Sequence, residues 1–171
     1  MVWVNLGLGS NNNPKANLAS GLDALLLQFR DMALSSVYKS QARGHEGADY
    51  LNMAVGFDTD MPLQELALLL KKIEDKHGRI RNTPLPSTIT LDIDVLTYGD
   101  KVGRFDNIIL PRPEILEAAY VLKPLSQVAS RYKHPVLKKT YAELWKDFTN
   151  TEQVLTPVGF TWHERVISKG A

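Results

Sequence analysis

The chain of 171 residues has no cysteine. This excludes disulfides, thiolate metal sites and cysteine nucleophiles, and it fits a reducing compartment. No apolar run approaches the roughly 20 residues of a bilayer span. Met1 leads into Val-Trp-Val-Asn without the basic region and apolar stretch of a signal peptide. The expected location is the cytoplasm, with no membrane partner. Charge of one sign is also missing: 20 Lys and Arg face 19 Asp and Glu, for a formal net charge of +1. That balance argues against a nucleic-acid partner bound through broad phosphate neutralisation, although it leaves room for a small basic site. There is no Gly-x-x-x-x-Gly-Lys phosphate loop, no repeat and no low-complexity tract. The histidines, His45, His77, His134 and His163, are scattered without metal-ligand spacing.

The most informative segment is Leu91-Asp92-Ile93-Asp94-Val95-Leu96. Strand side chains alternate, so Asp92 and Asp94 leave the chain on one side and Ile93 and Val95 on the other. Two neighbouring carboxylates repel and resist burial, so a cation is expected beside them. A pair of hard divalent ions suits them, because Mg²⁺ takes oxygen ligands and keeps positions open for substrate phosphates. A solvated edge strand is the other reading of the same pattern.

Length suits one domain over residues 1–171, with 136–171 as a helix and possible hairpin extension. Residues 2–9 read as a buried strand, and 15–30 as a helix striped by Leu18, Leu22, Leu25, Leu26 and Phe29. Strands are expected at 33–39 and 50–58. A second helix follows Asp60, with Pro62 in its first turn, a stripe of Leu63, Leu66, Leu70 and Ile73, and Gly78 as its stop. The acidic strand runs over 91–98, and a short strand over 107–110. Helices are expected at 114–120, 122–130 and 137–148, and a hairpin at 154–162 around Pro157-Val158-Gly159. The order β-α-β-β-α-β predicts an α+β fold, the ferredoxin-like α/β plait, mainly antiparallel with helices packed on one face.

Three further motifs carry chemistry. Gly7-Leu8-Gly9 begins like a dinucleotide fingerprint, but Asn12 stands where the third glycine belongs. Arg79 and Arg81 follow the end of the second helix and lead into the loop before the acids; arginine grips phosphate oxygens bidentately. Acids that hold metal beside such arginines are the parts of a phosphoryl-transfer site. Tyr50 and Asn52 share a strand face, where a ring can stack and a carboxamide can pair with a flat heterocycle.

Together these segments resemble the 6-hydroxymethyl-7,8-dihydropterin pyrophosphokinase family over residues 2–135. The colinear motifs are Leu8-Gly9-Ser10-Asn11, Tyr50-Leu51-Asn52, Ile73-Glu74 with Gly78-Arg79-Ile80-Arg81, Thr90-Leu91-Asp92-Ile93-Asp94, and Leu110-Pro111 leading to Tyr120-Val121-Leu122-Lys123-Pro124-Leu125. The resemblance implies a ferredoxin-like fold and Mg-dependent transfer of pyrophosphate from ATP to the hydroxymethyl group of a reduced pterin, with release of AMP. It implies that Asp92 and Asp94 bind two Mg²⁺ ions, that Asn52 reads the pterin edge, and that Tyr50 and Tyr120 sandwich the ring. By the same resemblance the backbone near Ser40 completes that pocket, Glu74 lies near the nucleotide and metals, and Arg79 and Arg81 belong to the catalytic loop. A monomer is implied.

The chain also departs from the family pattern. Pro86-Ser87-Thr88-Ile89-Thr90 stands in place of Trp-x-Pro-Arg-Thr, Arg112 in place of a nucleotide-contacting His, Ala118 in place of an Arg, and Asn107 in place of an arginine of some members. Arg43, Arg104 and Arg112 are candidates to replace the lost phosphate contacts. The alternative to an active enzyme is a pterin-binding paralogue without transfer, or a related transferase with another donor or acceptor.

Overall fold

The computed structural model describes residues 1–42, 47–81 and 88–171. Arg43, Pro86 and Ser87 lie outside the described residues. The elements run β1 (Val2–Ser10), α1 (Pro14–Leu26), β2 (Ala33–Leu34), β3 (Val37–Ser40), β4 (Tyr50–Thr59), α2 (Leu63–Lys76), β5 (Asp92–Tyr98), β6 (Gly103–Phe105), β7 (Ile108–Leu110), a 3₁₀ turn (Pro113–Leu116), α3 (Ala119–Val128), α4 (Tyr141–Lys146), β8 (Thr156–Val158), β9 (Phe160–Trp162) and β10 (Arg165–Ser168). The main sheet has the order β5-β1-β4-β3-β8, with β2 also on β4, and its pairs are antiparallel. The first four strand positions and two helices are those of the ferredoxin-like plait.

Alternation sorts the strands into two faces. Val4, Leu6 and Leu8 of β1, Leu51, Met53, Val55 and Phe57 of β4, and Ile93 and Val95 of β5 join Leu18, Leu22 and Leu25 of α1 and Leu63, Leu66, Leu70 and Ile73 of α2 in one core. The opposite face carries a second cluster, in which Leu96 meets Leu122, Leu125 and Ala129 of the α3 region and Tyr141 of α4. The helices therefore do not all pack on one face, as expected from the element order; α3 takes the other. Gly56 permits that crossing, since a Cβ there would stand 2.4 Å from Trp3 Cζ2 and 2.6 Å from Val128 Cγ1. At the end of this face that holds Gly9, Asn52 and Asp92, the first turn of α3 leaves a cavity with Tyr120 and Val121 on its rim.

Several boundaries differ from the sequence expectation. The strand expected over 33–39 is split, because the Ser35 hydroxyl accepts the Ala54 N–H at 2.8 Å and donates to the Ser36 carbonyl at 2.7 Å, interrupting the ladder. α1 stops at Leu26, which is exposed, while Phe29 beyond it stacks on Phe57 at 4.0 Å between centroids. α2 ends before Gly78, at φ 76°, as expected. The two helices expected over 114–130 are a 3₁₀ turn and one continuous α3, with Pro124 inside it. The helix expected over 137–148 is shortened to 141–146. Lys138 is left-handed, at φ 59°, and backbone bonds between His134 and both Lys138 and Lys139 hold a turn there. Thr140 then caps α4 by accepting the Glu143 N–H.

The expected terminal hairpin is displaced. Pro157 lies in β8, which extends the main sheet beside β3, and the hairpin proper is β9–β10, turned at His163 and Glu164, with φ 49° and 62°. Trp162 Nε1 donates to Asp23 Oδ1 at 2.9 Å, and His163 Nε2 lies 2.6 Å from the same oxygen, fastening the hairpin to α1. The bonds to His163 and Trp162 hold the Asp23 carboxyl below its usual value of 3.8, against a small opposing effect of burial. The stabilisation is therefore present above that value and lost as pH falls through the lowered one. Asp23→Ala is expected to lower the melting temperature at neutral pH by an amount worth at most about 1 kcal/mol. The difference from wild type should vanish in melts taken at progressively acid pH; a difference independent of pH would exclude the carboxylate as its source.

No helix among the described residues is long and apolar enough to cross a membrane.

Candidate active site

The site is built on one row across three strands. Gly9 of β1 stands opposite Asn52 of β4 and opposite Asp92 of β5, and Gly7 stands opposite Asp94. Neighbouring strands are about 4.8 Å apart, so Asn52 and Asp92 flank a bare glycine roughly 10 Å from backbone to backbone. Gly9 has no room for a side chain: a Cβ would lie 2.7 Å from Asn52 Oδ1. The Gly-Leu-Gly motif, unsuited to a dinucleotide fold, here gives the site a floor of backbone. Its spacing of two on a strand was the signal available in the sequence.

At the Asn52 end, a cavity of about 220 Å³ is lined by Ser40, Tyr50, Asn52, Asp92 and Tyr120, among others. Tyr50 opens β4, Ser40 closes β3 opposite it, and Tyr120 stands on the first turn of α3. Asn52 is buried, and its Nδ2 donates to Ser40 Oγ at 3.1 Å. Burial, with the negative charge of Asp92 nearby, pushes the Tyr50 hydroxyl above its usual pKa. The loop that enters β5 is tied to β1 by Asn11, whose N–H donates to the Ile89 carbonyl at 3.0 Å while its Oδ1 accepts the Ile89 N–H at 2.6 Å.

The acids occupy the middle. A cavity of about 160 Å³ touches Gly7, Gly9, Asn52, Asp92, Asp94 and Arg112. Burial and the neighbouring Asp92 charge raise Asp94 well above the usual carboxylate value; Arg112 opposes this, with Nη2 3.6 Å from Asp94 Oδ2. Arg112 Nε also lies 3.1 Å from Glu114 Oε2. Glu74, on the last turn of α2, accepts the Ile93 N–H at 2.8 Å and is raised chiefly by burial. Both loop arginines lean back on these acids. Arg79 Nη1 donates to Asp92 Oδ1 at 3.0 Å and to the Leu91 carbonyl at 3.1 Å. Arg81 pairs with Glu74 at 2.6 Å and with Asp75.

Beyond the acids, a third cavity, of about 310 Å³, is lined by Leu70, Glu74, Arg81, Asp94, Asn107 and Arg112, with apolar neighbours. The three cavities share residues in sequence: Asn52, Asp92 and Tyr120 join the first to the second, and Asp94 and Arg112 join the second to the third. The site is one trough, aromatic at one end, acidic in the middle, and basic with apolar walls at the other. All ten residues singled out in the sequence (Ser40, Tyr50, Asn52, Glu74, Arg79, Arg81, Asp92, Asp94, Arg112 and Tyr120) lie along it or contact its lining. Arg104 does not; it sits in β6, with Nε donating to the Asp106 carbonyl. Sequence reasoning missed Glu114 and the role of Asn11 as a tie.

A family model described as 7,8-dihydro-6-hydroxymethylpterin-pyrophosphokinase matches residues 5–130. The chain belongs to this family. Relatives named 2-amino-4-hydroxy-6-hydroxymethyldihydropteridine pyrophosphokinase include one from Aquifex aeolicus, 31% identical over 145 residues that cover 84% of this chain and 90% of that protein. One from Haemophilus influenzae is 29% identical over 158 residues, 90% of this chain and 98% of that protein. Among solved structures, Plasmodium falciparum HPPK-DHPS with pteroate superposes with a TM-score of 0.71 at 12% identity, covering 98% of this chain and 47% of that one. The wild-type protein with SDX-DHP gives 0.67 at 13% identity. This pyrophosphokinase-family chain thus spans about half of those longer chains, and the likeness at such identity is one of fold. It extends over nearly the whole chain, including the tail beyond the matched 5–130.

Proposed function

We propose that this chain transfers pyrophosphate from ATP to 6-hydroxymethyl-7,8-dihydropterin, releasing AMP, as a step of folate synthesis. The observation that carries the reading is the row Asn52–Gly9–Asp92, which puts a heterocycle-sized aromatic pocket directly beside two acids with nothing but backbone between them. Tyr50 and Tyr120 hold the ring faces, and Asn52 and the backbone near Ser40 pair with its polar edge. The nucleotide occupies the other end, with its triphosphate over the acids and its base toward the apolar wall near Leu70. The pterin hydroxyl oxygen forms a bond to the β-phosphorus, the bond from that phosphorus to the α–β bridging oxygen breaks, and the hydroxyl proton passes to water. Holding both substrates in one trough makes the reaction effectively unimolecular.

The donor set fits Mg²⁺. Asp92 and Asp94 offer hard oxygen ligands on one cavity, and Mg²⁺ completes its shell with water and phosphate oxygens. When bound, two such ions neutralise phosphate charge and polarise the transferred group. In this reading Arg79 and Arg81 turn from Asp92 and Glu74 to the triphosphate, and Arg112, which lines the cavities on both sides of Asp94, serves the nucleotide in place of the family His.

Family membership favours this activity over a pterin-binding paralogue without transfer. The test is AMP formation from ATP, Mg²⁺ and the reduced pterin. AMP that depends on the pterin is the expected result; pterin binding without AMP would overturn the reading. We propose further that the chain is one domain and works as a cytoplasmic monomer. Light scattering should give a mass near 19.1 kDa, and twice that mass would refute the monomer.

A further inference from the structure

Helix α3 begins at Ala119 after Ala118, a residue whose side chain supplies no cap. The first N–H groups of a helix need partners from elsewhere. Here one comes from the tail: Gln153 Oε1 accepts the Ala119 N–H at 2.7 Å, and Gln153 Nε2 donates to the Glu117 carbonyl at 2.8 Å. One carboxamide, 34 residues away in sequence, thus grips both sides of the turn into α3. The residue after Ala119 is Tyr120. Three residues after Gln153, Thr156 pairs with Lys39 of β3, next to Ser40. The segment 153–156 therefore bridges the two elements that carry Tyr120 and Ser40. Between them lies a cavity of about 410 Å³ lined by Lys39, Ser40, Tyr120, Gln153 and Thr156, among others. Gln127, two turns further along α3, already ties the helix to Tyr38 of β3 at 2.8 Å, so what the bridge adds is a hold on the first turn of α3, where Tyr120 stands.

We infer that Gln153 is a positioning residue for the pterin pocket: by capping α3 it sets the place of the Tyr120 ring, so residues outside the matched 5–130 tune affinity for the heterocycle. This rests on the proposed pterin reading of the cavity between Tyr50 and Tyr120. The test is calorimetry of the full chain with 6-hydroxymethyl-7,8-dihydropterin, in Mg²⁺ and an α,β-methylene ATP analogue, and with the analogue alone. Gln153→Ala is expected to weaken pterin binding about tenfold, the size of a lost helix cap, and to change analogue binding less than about twofold. Gln153→Glu, which keeps the acceptor for Ala119 but sets a second acceptor against the Glu117 carbonyl, should recover only part of the loss. In a Tyr120→Ala background Gln153→Ala should cost little more, because the two act through one contact. Unchanged pterin affinity in Gln153→Ala, equal losses for both ligands, or a full additional loss without the Tyr120 ring would overturn the inference. Gln153→Met, with the length but neither hydrogen bond, carries the same outcomes if Gln153→Ala does not fold. A wild-type chain that bound no pterin would instead overturn the functional reading, and this inference with it.

Discussion

Asp94→Asn is expected to lower AMP formation by at least about 10²-fold while making the substrate-free protein more stable. Asp94 is half-buried beside Asp92, and both burial and that neighbour disfavour its charge. Arg112 compensates only from 3.6 Å. Replacing the carboxylate with an isosteric amide removes the repulsion and keeps the shape. A gain of about 1 kcal/mol, roughly 2–4 °C for a chain of this size, is the expected scale. On the proposed reading, the same change also takes the charge from one of the two carboxylates, Asp92 and Asp94, that would hold the Mg²⁺ ions where transition-state charge is balanced. Losing one preorganised group of that kind lowers turnover by about 10²–10³-fold, and more where residues act as a unit. Pterin affinity should move little, because Asn52, Tyr50 and Tyr120 lie at the other end of the trough. Melting curves and AMP assays on one preparation decide it: loss of activity together with loss of stability would mean that Asp94 holds the fold and not the charge of the substrate.

The opposite profile is expected for Asn52→Ala. The side chain is 8% exposed, with Nδ2 on Ser40 Oγ and Oδ1 above Gly9. Its position is therefore fixed before any ligand arrives. A heterocycle whose donors and acceptors meet a methyl group leaves those groups buried and unpaired, at about 1–3 kcal/mol. That corresponds to roughly 10–100-fold weaker pterin binding, with affinity for the ATP analogue unchanged. Calorimetry with each ligand separates the two ends. Equal weakening of both would show that Asn52 supports the sheet rather than reads a ring.

The site was more legible in the sequence than the tail, for a physical reason. Asp92 and Asp94, Tyr50 and Asn52, and Gly7 and Gly9 all sit on strands, where a spacing of two dictates a shared face whatever the rest of the chain does. Likewise α2 announces itself by the period of Leu63, Leu66, Leu70 and Ile73. What local pattern cannot carry is pairing between distant segments. Pro157 and Gly159 look like a turn, yet β8 is recruited by β3. The real turn uses His163 and Glu164, held there because Asp23 Oδ1 takes both the Trp162 indole and the His163 ring. Lys138 is likewise forced out of helix by a turn closed on His134. Gln153 bears no motif at all; its meaning comes from an amide 34 positions away. The element order suggested helices on one face because a pattern of strands and helices does not say where a third helix docks; Gly56, which clears room for Val128, decided that.

The main sheet finishes in β8, three residues long with Pro157 in the middle. A short strand carrying a residue without an N–H offers a poor template to another chain. β3 behind it has no such protection. A chain shortened before residue 156 would present the β3 edge, three paired positions long, to solvent, and light scattering on a form trimmed there is expected to show more self-association than the full chain; an equally monodisperse trimmed chain would show that β8 does not guard the edge.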